Sequence, residues 1–164
     1  MGKHQKGFSL VELLIVVAVI LIIAAIAIPN LIRSKIAANE ASAVASCRTI
    51  NTSEIVYSST YNTTTVFSQD LPSLGDAGAT GNCAGTTTVP TSTAACLIDS
   101  ALENATQTAK SGYVFSYTPA TGSYSVTAAP ASLNSTGVRY FFTDQTAVIR
   151  ATSGAPATNT SSPI

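Results

Sequence analysis

The sequence has few charged residues. Asp, Glu, Lys and Arg make up only 10% of its 164 residues, whereas 46% are hydrophobic; a soluble globular domain normally has about a quarter charged residues. This balance is typical of a protein that lies in a membrane or is buried on several sides. The formal net charge is zero, and the basic footprint of a nucleic-acid-binding protein is missing. We therefore predict no nucleic-acid partner.

Histidine is almost absent. The single histidine, His4, lies within the first seven residues, together with Lys3 and Lys6. If this basic leader is removed, the chain has no imidazole for a Ser-His-Asp or Cys-His nucleophile system or for a histidine-bearing metal site. The cysteine spacing does not match a metal site either. We predict that the protein is not an enzyme and that it uses no cofactor and no metal.

A long apolar run follows the leader. From Phe8 to Ile28 the only polar residues are Ser9 and Glu12. As a helix this run would be about 32 Å long, which is enough to span the core of a bilayer. Because the lysines precede it, the positive-inside rule keeps the N-terminus in the cytoplasm and sends the rest of the chain outward.

Two simple interpretations of this run remain open. A cleavable secretory signal peptide would explain the basic start and the Ala-x-Ala at residues 25–27, although its apolar region is usually only about 7–15 residues long. A plain membrane anchor would explain the length. Neither explains Glu12, because a carboxylate in an apolar membrane helix costs about 2.5–3.5 kcal/mol at the bilayer centre and less near its edge.

The string GFSLVELLI, residues 7–15, resembles the prepilin processing motif of type IV pilins and type II secretion pseudopilins. In that family a prepilin peptidase cuts after the glycine and methylates the new N-terminal residue. The resemblance implies that Gly7 precedes the cut and that Phe8 becomes N-methylated. It also implies that Glu12 directs assembly, since a neighbouring subunit's N-terminal amine can offset the cost of its buried charge.

The resemblance implies a structural subunit of a type IV pilus-like extracellular filament, held in the inner (cytoplasmic) membrane before assembly. Its partners would be further copies of itself, other pilins or minor pilins, the prepilin peptidase and the inner-membrane pilus assembly machinery. Two alternatives remain: a pseudopilin of a type II secretion system, and a membrane-anchored minor pilin that acts as an adhesin.

The helical pattern continues beyond the apolar run. Pro29 is predicted to kink the helix, because proline lacks the N–H that would bond to the carbonyl of Ala25 and its ring clashes with the preceding turn. The following residues form an amphipathic pattern that Glu54 interrupts. The predicted buried stripe consists of Ile36, Ala43, Cys47, Ile50 and Tyr57, with Val44 and Ile55 at its flanks.

The remaining sequence predicts a small globular region. We expect a surface loop over 62–90, a short helix over 97–105, and two hairpins with strands at 113–118, 124–128, 138–143 and 147–151. The predicted fold class is α+β: a long N-terminal helix, apolar in its first half and amphipathic in its second, packed on a small antiparallel sheet. The predicted segments are a leader (1–7), a transmembrane and polymerisation helix (8–28), its amphipathic continuation (29–58), a globular loop and sheet region (59–154) and a mobile tail (155–164).

Three cysteines remain to be placed. An exported domain meets oxidising conditions, so a disulfide is expected. Cys83 and Cys96 lie in a loop-rich region and would close a short ring, whereas Cys47 lies on the helical stripe and would pack as a small buried hydrophobe. A bridge from Cys47 to either of the others remains possible.

Overall fold

The computed structural model describes residues 7–61, 66–76, 83 and 89–164; of the predicted leader, only Gly7 lies within this range. The chain divides into two compact units between Lys35 and Ile36. Helix α1 (Leu10–Tyr61) begins in the first unit and ends in the second. It extends about three residues beyond its predicted end, and no glycine interrupts it.

The second unit contains two further short helices and a sheet. Helix α2 is Leu71–Leu74, and helix α3 is Ser100–Glu103, followed by a 3₁₀ turn at Asn104–Thr106. The strands form one antiparallel sheet in the order β1-β2-β3-β4-β5. They comprise β1 (Tyr113–Ala120), β2 (Ser123–Pro130), β3 (Arg139–Asp144), β4 (Arg150–Ser153) and β5 (Ser162–Pro163). The predicted α+β class and helix-on-sheet packing are therefore confirmed.

The core lies between the second part of α1 and one face of the sheet. From the helix, Cys47 and Ile50 are fully buried, and Ala43 and Tyr57 nearly so. From the sheet, alternate residues of each strand point inward, as the two-residue period of a strand requires. They include Tyr113, Phe115, Tyr124, Val126, Ala128 and Phe141. The predicted stripe is correct at these helical positions.

Two residues beside the stripe differ from the simple pattern. Ile55, predicted at its flank, is 60% exposed, whereas Glu54, which interrupts the pattern, is fully buried. The reason is the set of partners that the rest of the chain supplies to Glu54, because a buried carboxylate is tolerated only when it is hydrogen-bonded.

The region predicted as a surface loop over 62–90 contains a buried element. Asp70 caps α2 by accepting a hydrogen bond from the Ser73 N–H at 2.8 Å, and the helix fully buries Leu71 and Leu74. The surface-loop prediction is wrong for this part of the segment. Residues 62–65, 77–82 and 84–88 lie outside the described residues.

The helix predicted over 97–105 begins later than expected. Leu97 and Ile98 precede the helix, and their N–H groups donate to the Leu74 carbonyl. The helix starts after Asp99, which accepts a hydrogen bond from the Leu102 N–H at 2.7 Å. Asp99 therefore lies at the positive end of the helix and acts as its cap.

The C-terminal segment joins the sheet. Residues 155–164 were predicted to form a mobile tail, but strand β5 lies within them and pairs with β4, and Ala157 is buried. The Ile164 N–H also donates to the Ile149 carbonyl at 3.1 Å. The segment is an edge of the sheet, although its Ser/Thr/Pro-rich composition carries no strand pattern.

Candidate assembly surface

The first part of α1 exposes an almost uninterrupted apolar surface. Among residues 7–35 every residue is exposed except Ala24, which is half-buried, and the large side chains include Phe8 at 85% and Ile20 at 57% exposure. By length and composition this helix can cross a membrane, a test that a signal sequence also passes. The core helix of a soluble protein would bury such a window, whereas here none of the window is buried. Exposed apolar surface on this scale marks a membrane or protein contact.

Two side-chain hydrogen bonds cap the start of the helix, one to the Glu12 carboxylate and one to the Ser9 hydroxyl. The Glu12 carboxylate accepts from the Ser9 N–H at 2.9 Å, and the Ser9 hydroxyl accepts from the Val11 N–H at 3.3 Å. The bond to Glu12 is the glutamate half of a Ser-x-x-Glu capping box, whereas the Ser9 hydroxyl accepts from the Val11 N–H instead of the Glu12 N–H. Both bonds satisfy N–H groups that have no partner within the helix. Glu12 therefore has a structural role within its own chain, and the Ser-x-x-Glu signature alone could have revealed it.

The predicted processing residues lie just before this cap. Gly7 and Phe8 precede the helix and are exposed, and a Cβ placed on Gly7 would meet no atom within 4 Å. Their backbone is therefore accessible. Glu12 lies in the first turn of the helix, so the three residues predicted for processing and assembly occur together at this end.

Pro29 lies inside α1, and the helical assignment continues through it. Proline has no N–H to donate to the carbonyl of Ala25, so one helical hydrogen bond is missing there. The next residue makes an additional contact, because the Asn30 side-chain amide donates to the Ile26 carbonyl at 3.2 Å. The predicted kink remains a prediction.

The disulfide prediction is confirmed. Cys83 and Cys96 are bonded, with their Cα atoms 5.4 Å apart, and Cys47 is a buried free cysteine. Burial raises the pKa of the Cys47 thiol to about 12, because a thiolate is poorly solvated in the core. Cys47 thus behaves as the predicted apolar residue.

The second part of α1 meets the rest of its unit through buried polar groups. Glu54 accepts hydrogen bonds from the Ser68 N–H at 3.0 Å and from the Tyr117 hydroxyl at 2.6 Å. One turn away, Asn51 accepts from the Tyr124 hydroxyl at 2.9 Å and donates to the Thr143 hydroxyl at 2.8 Å. Burial, followed by the nearby Glu54 charge, raises the pKa of both tyrosines, which keeps their hydroxyls as donors.

Glu40 makes a further contact between the helix and the sheet. Its carboxylate accepts from the backbone N–H groups of Val138 and Arg139 at 3.0 and 3.1 Å, and from the Arg139 guanidinium at 2.7 Å. Burial alone would raise the pKa of Glu40, but these hydrogen bonds outweigh it and the pKa is lowered. The carboxylate is therefore held in its charged form.

The N-terminal segment is similar to segments of known proteins. Residues 2–28 match the family model described as the prokaryotic N-terminal methylation motif. The chain is also similar to the type IV wide pilus major component PilA4 of Thermus thermophilus, with 53% identity over 38 residues. That alignment covers 23% of this chain and 29% of the relative, so the chain matches less than a third of the relative's length. No solved structure matches the chain.

Among the described residues, no group of three or more His, Cys, Asp or Glu side chains is placed to hold a metal ion. In its N-terminal motif and its exposed apolar helix, the chain is similar to type IV pilin-like proteins.

Proposed function

We propose that this protein is the precursor of a subunit that polymerises into a type IV pilus-like filament through residues 8–28. The observation that supports this most strongly is the exposed apolar surface of the first part of α1, which has no partner within the described residues. Before assembly, lipid of the inner membrane would cover this surface. After assembly, the same segment of neighbouring copies would cover it, and the globular unit would face the outside.

Processing at Gly7 would prepare this surface. A peptidase needs an extended and accessible backbone, and Gly7 and Phe8 lie outside the helix with no side chain crowding Gly7. Cleavage there removes Lys3 and Lys6 and leaves a new amine at Phe8. The cut leaves both members of the Ser9–Glu12 cap in place, so the start of the helix can persist in the mature chain.

Glu12 would then act between subunits. The Glu12 carboxylate accepts a hydrogen bond from the Ser9 N–H of its own chain. Because a carboxylate can accept several hydrogen bonds, it can also accept one from another copy. The amine at Phe8 of a neighbouring copy can therefore approach Glu12 without breaking the cap. In an environment of low dielectric constant, this ion pair offsets the cost of burying each charge alone and would fix the axial position of the two copies.

Pro29 would give the assembled helix a weak point. The backbone there lacks one hydrogen bond, and Asn30 donates to a nearby carbonyl from its side chain. We propose that the helix loses regularity around Pro29 when it packs in a filament. A filament map with continuous, unkinked helix across residues 25–33 would contradict this.

Native material tests the proposal in two measurements. Intact-mass analysis should give a chain that starts at Phe8, has 164 − 7 = 157 residues and carries one added methyl group. Isolation of surface filaments should then show this chain as their principal protein. A mature start at Ile28 would show that the segment is a signal peptide. A processed chain found only in the cell envelope would favour a secretion pseudopilin, and a trace component of filaments built from another pilin would favour a minor-pilin adhesin.

A further inference from the structure

The face of the sheet opposite the helix carries a pocket of about 490 Å³. Because Tyr113, Phe115, Tyr124 and Val126 point into the core, the residues between them on β1 and β2 point to the other side. These outward residues form the floor of the pocket, and residues 157–159 of the C-terminal segment form a wall. The volume lies within the range of about 300–1,000 Å³ that is typical of small-molecule sites.

The lining of the pocket is polar but almost uncharged. Its floor is rich in hydroxyl groups, such as those of Thr118 and Ser125, and Gln145 and Asn159 contribute amides. Among the described lining residues, Asp144 is the only charged one, and Phe142 contributes an aromatic ring. An anionic ligand would be repelled by Asp144, whereas a ligand with many neutral donors and acceptors would find partners throughout the lining.

Asp144 is held in a fixed orientation by its own turn. Its Oδ1 accepts hydrogen bonds from the backbone N–H of Thr146 at 2.9 Å and from the hydroxyl of the same residue. Its Oδ2 makes no hydrogen bond within the described part of the chain, so this oxygen is available to a ligand. A pre-oriented carboxylate loses little conformational entropy when it binds, and hydrogen bonds to a charged acceptor are stronger than those to a neutral one.

We propose that this pocket binds a neutral saccharide. A sugar ring presents an apolar C–H face and a rim of hydroxyl groups, and the pocket offers the matching chemistry. The C–H face would lie against the ring of Phe142, whose face carries partial negative charge. The hydroxyl groups would donate to Asp144 and exchange hydrogen bonds with Asn159 and Thr118. This function is separate from polymerisation and does not depend on it.

The test uses the full chain in a micelle of zwitterionic detergent, since the head group of an alkyl glycoside would itself compete. Binding of glucose, galactose, mannose and their N-acetylated amino sugars is measured by saturation-transfer NMR and titration. The expected dissociation constant for at least one of them is on the order of 1 mM, because the pocket is open and hydrated. Putrescine serves as a cationic probe without a saccharide ring.

Variants locate the binding. Asp144→Asn keeps the Oδ1 acceptor of the turn and should weaken binding about tenfold. Phe142→Leu keeps an apolar side chain without the ring and should weaken it by at least about threefold. Ser116→Ala is the matched control for Thr118→Ala, because both residues lie on the outward face of β1 but only Thr118 lines the pocket. Equal unfolding temperatures verify that each variant is folded.

Three results would overturn the proposal. The first is that none of the saccharides binds, and the second is that binding is unchanged in both Asp144→Asn and Phe142→Leu. The third is a response to putrescine alone that Asp144→Asn abolishes, which would identify a cation site in place of a saccharide site.

Discussion

Residues 10–35 and residues 36–61 belong to the same helix but differ in which side chains are buried. In the first part the large hydrophobic side chains are leucine, isoleucine and valine, and all of them are exposed. In the second part the buried residues include Glu40, Asn51 and Glu54. Burial in α1 therefore follows the supply of partners and not the polarity of the residue alone. The polar residues are satisfied within their own unit, whereas the apolar ones need partners that a single copy does not provide.

The largest expected effect comes from removing the charge at the start of the first part. Glu12→Val should leave an inserted and cleaved subunit that forms few or no filaments, because the ion pair to a neighbouring amine is lost. The measurement is a filament count by electron microscopy beside immunoblots of membrane-held subunit. Normal filaments from this variant would show that apolar packing alone sets the axial position.

Two further variants separate charge from capping. Glu12→Gln retains a side-chain acceptor for the Ser9 N–H and loses only the charge, since glutamine also serves in capping boxes. Ser9→Ala removes the hydroxyl half of the cap and leaves the charge. If charge is decisive, the glutamine variant should lose filaments and the Ser9 variant should keep most of them. The reverse result would show that Glu12 acts through the helix start.

A matched pair of isoleucine-to-alanine substitutions compares the two parts of the helix directly. Ile50→Ala, at a fully buried position, should lower the free energy of unfolding by about 2–5 kcal/mol because it leaves a cavity. Ile20→Ala, at a position that is 57% exposed, should change it by less than about 0.5 kcal/mol. Both are measured on the full chain in detergent by denaturant titration of the near-UV tyrosine signal. Equal losses would mean that the first part has a core of its own.

Removing the disulfide should lower the free energy of unfolding by less than the upper limit expected for Ile50→Ala. Replacing Cys83 and Cys96 together by serine opens a ring with a sequence separation of 13 and should cost about 3 kcal/mol in the chain-entropy model. The same denaturant titration measures it. Cys47 acts as an internal control, because with a pKa of about 12 it should react with thiol reagents at pH 8 only on unfolding. Rapid modification of Cys47 in the folded protein would contradict the placement of this residue in the core.

The smallest effect concerns Glu40 and pH. Its pKa is lowered in the folded chain from an ordinary value of 4.5, so the stability it contributes is fully present above that value. The contribution is lost as the pH falls below 4.5 and through the folded-state pKa. Glu40→Gln should therefore flatten the decline in unfolding temperature over this acidic range. An unchanged decline would show that other carboxylates cause it.

The sequence predicts the main elements because their patterns are local. The alternation of Tyr113, Phe115 and Tyr117 with smaller residues identifies β1, and the return strand lies close along the chain. The turn is tighter than predicted, since β1 extends to Ala120 and only Thr121 and Gly122 connect it to Ser123. Gly122 has a φ of 71° there, a conformation that glycine adopts without strain.

Other features depend on contacts between residues that are distant in sequence. Nothing near Glu54 indicates that Ser68 and Tyr117 will satisfy its carboxylate, so its burial could not be inferred. Strand β5 is two residues long and exists because β4 offers it an edge. The Ser9–Glu12 cap was different, because its signature is local.

The central claim is that the first part of α1 is covered by copies of itself. A cryo-electron microscopy map of isolated filaments tests it most directly, because it shows what surrounds residues 10–28. We predict that these residues lie in the filament interior, that their apolar side chains pack against the same segment of neighbouring copies, and that each Glu12 lies beside a neighbour's Phe8 amine. A filament in which this segment is missing, or lies on the outer surface, would contradict the claim.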